Sequence, residues 1–162
     1  MFSNIYTGAE GPDTEPPVRF LTRYDKSATN IKDSQLWIDI GQVPWATAYS
    51  KWYHQYIAYP IQALKAAILL DEYTITDRGT YLSIPKSMQN QTVIYKAATD
   101  DASDPLLNPA HILIGKGAKN EKMADKFTHW TVSAEAQKVI TSFKKGGEQL
   151  YSAAPANKTA QF

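Results

Sequence analysis

Apolar residues recur along the chain in short blocks whose spacing is now strand-like, now helix-like, with turn-forming residues between them. Residues 2–10 read as the end of a helix or an arm. They run into Gly11-Pro12-Asp13-Thr14-Glu15-Pro16-Pro17, which no helix accommodates and which reads as a linker. Val18 to Thr22 predicts a short strand. From Asn30 to Ile40, the positions of Ile31, Leu36, Trp37 and Ile40 are loosely helical, and Gly41 closes the pattern. Between Trp45 and Tyr59, the spacing of Tyr49, Trp52, Tyr53 and Tyr56 predicts a packed helix rather than an aromatic cage for a ligand. Pro60 suits a first helical turn, and Ile61, Leu64, Ala67 and Ile68 form a stripe that continues to Leu70.

Three further strands are predicted, at Tyr73–Thr76, Thr92–Lys96 and Ala110–Gly115. Two helices then close the pattern. Met123, Phe127 and Trp130 line one face of the first. Ser133 caps the second, whose buried face is Ala136, Val139, Ile140 and Phe143, and Gly146-Gly147 ends it. Helices interspersed with short strands predict an α/β layered fold. The expected organisation is an arm and linker over 1–17, an α/β domain over 18–147 and a loosely ordered tail over 148–162.

Composition narrows the function. The chain has 162 residues, of which 43% are hydrophobic and 20% charged, a globular balance. A net charge of +1 supplies no basic field for nucleic acid. No apolar run approaches the roughly 20 residues of a membrane span, and residues 1–10 are too polar for the core of a signal peptide. The absence of cysteine excludes disulfides, thiolate metal sites and cysteine nucleophiles. Asn90 and Asn157 head two N-x-T sequons.

Few residues carry an enzyme reading. His54, His111 and His129 lack metal-ligand spacing, and there is no phosphate-binding loop, dinucleotide fingerprint or nucleophile elbow. A binding module without catalytic residues, cofactor or metal is therefore expected. Asp100, Asp101 and Asp104 read as a solvated acidic loop ahead of a cation site.

Arg23 to Asn30 is a stronger chemical signal. A helix starting there would offer free backbone N–H groups beside the hydroxyls of Ser27 and Thr29, with Arg23 near, and would cradle an anion. The alternative is an ordinary helix cap next to a solvated arginine. Arg78, in a Gly-containing turn after a strand, would aim a guanidinium into a cleft or engage Asp77 within the turn.

Three stretches together resemble the tungstate-binding family of extracellular solute-binding proteins. They are Phe20 to Thr29 (FLTRYDKSAT), Trp52-Tyr53 with Tyr73 to Leu82 (YTITDRGTYL), and Leu107-Asn108-Pro109 with Phe127 to Phe143. The resemblance implies a periplasmic-binding-protein-like α/β fold with a layered sheet and flanking helices. It implies two lobes closing on an oxyanion such as tungstate or molybdate, an extracytoplasmic location and, in a bacterium, delivery to an ABC-type importer. It carries over Arg23, Ser27, Thr29 and Arg78 as ligand contacts. Tyr24 and Ala28 stand where the family pattern has glycine.

Nothing before residue 18 resembles the family's opening strand and Thr/Ser-rich loop, so an incomplete two-lobed fold is expected. A homodimer or a completing chain would then cover its exposed apolar faces. The alternative function is a scaffold of this type acting as an interaction protein without ligand.

Overall fold

Three short strands, β1 (Phe20–Thr22), β2 (Tyr53–Gln55) and β3 (Tyr73–Thr74), form a parallel sheet in the order β2-β1-β3. Phe20 pairs with Tyr53 on one side and Tyr73 on the other. The computed structural model describes residues 1–12, 14–101 and 103–154. The chain divides into two compact units, Met1–Tyr95 and Lys96–Phe162.

Alternation along β1 sends its side chains into two cores. Phe20 enters an aromatic cluster with Trp37, Trp52 and Tyr53, while Leu21 packs against Ala63 and Ala67 on the other face. Helix α1 (Phe2–Glu10) buries Phe2, Ile5 and Ala9. Phe2 meets Trp37 edge-on, with ring centroids 4.5 Å apart, so the segment expected as a helix end or arm is a helix packed into this core. Trp37 is completely buried and also sits edge-on to Phe20 at 5.2 Å. Such pairs add roughly 0.5–1.5 kcal/mol beyond area burial.

Helix α2 (Ala28–Ile38) carries Trp37 to that core. It ends where Gly41 adopts φ 74° and its N–H donates to the Ile38 carbonyl, a backbone conformation that favours glycine. Helix α3 (Pro60–Leu69) begins with Pro60 in its first turn, as expected, and buries Ala63, Leu64 and Ala67. The short helices α4 (Arg78–Tyr81) and α5 (Lys86–Gln89) follow β3.

The stretch from Trp45 to Tyr59 is not the helix its spacing predicts. Pro44–Ala46 is a single 3-10 turn, and Tyr53–Gln55 is β2. The Phe20 N–H donates to the Trp52 carbonyl and the Tyr56 N–H to the Thr22 carbonyl, at 2.8 and 2.9 Å. This pairing with a distant strand buries the consecutive Trp52 and Tyr53, whereas Tyr49 and Tyr59 are 85% and 79% exposed. The ladder with β1, not the local spacing, decides this segment's conformation.

In the second unit, α6 (Glu121–Thr131) and α7 (Ala134–Ser142) precede a hairpin of β4 (Lys144–Lys145) and β5 (Glu148–Gln149). Ser133 caps α7, accepting from the Ala136 N–H at 3.3 Å. Gly146 and Gly147, at φ 60° and 86°, form the two-residue hairpin turn rather than the helix end. Ala136 is buried, but Met123, Phe127, Val139 and Phe143 are all more than half exposed.

Residues 92–96 and 110–115, both expected as strands, belong to no sheet. Their composition suits a strand, but a strand exists only through a partner ladder, and neither has one among the described residues. Asn90 is exposed at the end of α5, and Asn157 lies outside the described residues. Among the described residues, no helix is long and apolar enough to cross a membrane.

Candidate functional site

The chain leaves central β1 for β2 on one side, then crosses to β3 on the other. The connections from β1 and β3 therefore diverge at their carboxyl ends. Open parallel sheets hold ligands in the crevice such a switch point creates. Because each strand is followed by a helix, the amino-terminal ends of α2, α3 and α4 also follow this edge, and a helix start carries partial positive charge.

The turn from β1 into α2 is the most elaborated of these connections. Tyr24 and Lys26 both have left-handed backbones, φ 47° and 63°. Tyr24 stands where the resemblance places a glycine, the residue that adopts this backbone angle most freely. Arg23, its side chain 14% exposed, pairs with Asp25 and donates Nε–H to the Ala58 carbonyl at 3.2 Å, reaching the connection after β2. Burial raises the Asp25 pKa, but hydrogen bonds from Ser27 and the Arg23 charge outweigh it and hold the carboxyl below its ordinary 3.8.

Ser27 is the cap of α2. Its Oγ accepts from the Asn30 N–H at 3.4 Å, and its own N–H donates to Asp25 at 3.0 Å. The N–H groups of Ala28 and Thr29 and the Thr29 hydroxyl have no hydrogen-bond partner among the described residues. These are the donors that a helix start leaves to solvent or an anion.

Beneath the turn lies a buried polar network that sequence reasoning did not identify. Thr22 Oγ1 donates to Asp33 Oδ2 at 2.9 Å and accepts from Asn30 Nδ2 at 3.2 Å and the Tyr24 N–H at 3.3 Å. Asn30 Oδ1 accepts from the Lys26 N–H at 2.9 Å. Thr22, Asn30 and Asp33 are 1%, 6% and 2% exposed, so their polar groups depend on one another. Burial pushes the Asp33 pKa up to about 6, against the hydrogen bonds from Thr22, Asn30 and Ser34. The signal in the sequence was Asn30 and Asp33 one turn apart on the same side of a helix as Trp37.

Arg78 is exposed in the first turn of α4, after β3. Asp77 caps that helix, accepting from the Thr80 N–H at 2.8 Å and hydroxyl at 2.6 Å. Arg23, Ser27 and Thr29 thus belong to a single turn and helix start, with Arg78 on the connection following the neighbouring strand.

The other titratable clusters are occupied structurally. Glu72, its side chain fully buried, receives Arg19 at 2.9 Å and His54 at 2.8 Å. In the acidic loop, backbone N–H groups of Thr99 and Leu106, then the Thr99 hydroxyl, draw the Asp104 pKa down to about 2. Among the described residues, no group of three or more His, Cys, Asp or Glu is arranged to hold a metal ion.

The parallel sheet, its switch point and the capped helix starts define an α/β fold of the periplasmic-binding-protein type. The chain belongs to the PBP superfamily domain family, whose model matches residues 1–135.

Its relatives are solute-binding proteins. It is 29% identical over 146 residues to the tungstate-binding protein TupA of Peptoclostridium acidaminophilum, covering 88% of this chain and 48% of the relative. It is 28% identical over 136 residues to TupA of Campylobacter jejuni subsp. jejuni, covering 82% and 49%. The chain spans about half the length of these curated relatives.

Two solved structures are similar. One, a periplasmic protein presumed to bind metal, is 67% identical with TM-score 0.91, over 96% of this chain and 76% of that one. The other, TupA of Desulfovibrio alaskensis G20, is 28% identical with TM-score 0.65, over 84% and 54%.

Proposed function

We propose that this chain binds a small tetrahedral oxyanion of the tungstate or molybdate type, as the solute-binding component of an ABC-type importer outside the cytoplasm. The supporting observation is the open start of α2 at the β1/β3 switch point, where the Ala28 and Thr29 N–H groups and the Thr29 hydroxyl lack partners. A tetrahedral oxyanion needs several directional donors, and fixed neutral N–H groups at a helix start supply them beside the Arg23 charge. Arg23, Ser27 and Thr29 are the proposed contacts, with Arg78 contributing from the connection after β3.

The relatives named for tungstate favour the same class of solute. A cation reading, suggested by the presumed metal binding of the solved relative, has no carboxylate or imidazole cluster to support it among the described residues. Tungstate and molybdate are themselves metal oxyanions, so the two descriptions are compatible.

Calorimetric titration of phosphate-free protein with tungstate, molybdate, sulfate and phosphate tests the reading. Saturable one-site binding, with tungstate or molybdate preferred, is expected. At one hundred times the dissociation constant, the ligand should also stabilise the fold by about 2.7 kcal/mol. A folded protein with a flat titration for all four anions would overturn the proposal.

A further inference from the structure

We infer that Asp33 is a positioning residue for this site: through Thr22 and Asn30 its ionised carboxylate fixes the two left-handed residues of the turn after β1, so anion binding depends on that charge. The inference rests on the oxyanion reading of the turn. Asp33 lies in the second turn of α2 and is 2% exposed, and its hydrogen bonds are to Thr22, Asn30 and Ser34 rather than to Arg23, Ser27 or Thr29.

The relay runs through two groups of ambiguous orientation. A hydroxyl has one proton and two acceptor positions, and a side-chain amide can face either way. At Thr22 all three are used: the proton goes to Asp33, and the lone pairs receive Asn30 Nδ2 and the Tyr24 N–H. At Asn30, Nδ2 also donates to Asp33 Oδ1 at 3.3 Å, which leaves Oδ1 facing the Lys26 N–H. Tyr24 and Lys26, the two residues at positive φ, are thus the ends of the relay.

An ionised carboxylate accepts only, and so selects this one arrangement of donors. Protonation replaces one acceptor position with a donor. A proton on the side facing Thr22 or Asn30 turns the Thr22 hydroxyl or rotates the Asn30 amide, and each movement withdraws an acceptor from the turn, whereas a proton directed at Ser34 turns only the Ser34 hydroxyl. The groups facing Asp33 are Thr22 of β1, Asn30 and Ser34 of α2, the Tyr53 phenol of β2 and the Asp25 carboxylate of the turn. Burial, with a smaller push from the Asp25 charge, brings the titration of Asp33 into mild acid, at about 6.

The test is a pH series from about 8 to about 5 on the wild type, Asp33→Asn and Thr22→Val, spanning the shifted titration. Calorimetry with sodium tungstate reads affinity, and NMR reads the Tyr24 and Lys26 amides and the Asp33 carboxyl. Wild-type affinity is expected to fall about tenfold across the Asp33 titration, a loss the size of a charge-assisted hydrogen bond, with both amides shifting at the same midpoint. Asn and Val variants are expected to bind weakly with a flat profile.

Variants with wild-type affinity and pH profile would overturn the role. Should the variants not fold, wild-type amides that ignore the Asp33 titration would overturn it equally. A wild type that binds no tungstate at any pH, with amides that still track Asp33, would fail the oxyanion reading and leave the positioning of the turn standing.

Discussion

The Thr22 hydroxyl, at the end of β1, donates to the Asp33 carboxylate one helix turn inside α2, 2.9 Å away and out of solvent. This bond ties the strand that forms the middle of the sheet to the helix whose open start is the proposed anion site. It also leaves a carboxylate buried without a cation, held only by neutral donors, which burial makes easier to protonate.

A consequence for stability follows. The Asp33 pKa is raised from an ordinary 3.8 to about 6, so the folded state binds its proton more tightly than the unfolded chain. Its contribution is fully present below the unfolded value and is lost as pH rises from about 4 through 6. At pH 8, Asp33→Asn should therefore raise stability by an amount of order 1–3 kcal/mol, since each pKa unit is about 1.4 kcal/mol. Urea denaturation of both proteins at several pH values checks this: the gain should shrink as pH falls. A variant less stable at pH 8 would show that the hydrogen bonds outweigh the cost of burying the charge.

Arg23 is held by Asp25 and by the Ala58 carbonyl, so its position is fixed before any ligand arrives. Arg23→Ala should weaken tungstate binding by at least tenfold, the ~1.5–3 kcal/mol of a hydrogen bond to a charged group. Calorimetry gives the affinity, and unaltered binding would remove Arg23 from the site.

Lys26 is exposed and sits at φ 63°, where any side chain is strained. Lys26→Gly should leave stability unchanged or raise it by up to about 1 kcal/mol, whereas the β-branched Lys26→Val should lower it by about 1–2 kcal/mol. Equal effects in chemical denaturation would mean that the turn does not keep this conformation in solution.

Trp37 touches Phe2, Phe20, Trp52 and Tyr53 from a fully buried position. Trp37→Ala should cost about 3–5 kcal/mol, comparable with much of a small domain's stability, and largely unfold the first unit. Near-ultraviolet circular dichroism would show the loss of the aromatic cluster.

Met123, Phe127, Val139 and Phe143 are all more than half exposed, and Trp130 is 44% exposed. We expect the chain to cover them by forming a dimer at working concentrations. Light scattering after size exclusion would give twice the monomer mass of 18.1 kDa, and a monodisperse monomer would exclude the dimer.

The sequence by itself determined the features that local chemistry controls. Ser27 and Ser133 cap helices because a hydroxyl at that position satisfies a nearby N–H, whatever the rest of the fold does. Pro60 opens a helix and Gly41 ends one for equally local reasons. The proposed contacts Arg23, Ser27 and Thr29 were legible because they lie close together along the chain, and the order of the strands and helices was already enough to indicate α/β layers. Tertiary structure alone decided what depends on distant partners. Trp52 and Tyr53 carry a helical spacing, yet form and flank a strand because Phe20 is there to pair with them. Residues 92–96 and 110–115 have the composition of strands and no ladder among the described residues. Asp33 reads as one more polar helix position until Thr22 and Asn30 close over it. Hydrogen bonds of that kind join residues that meet only after the sheet has formed, and so leave little local pattern in the sequence.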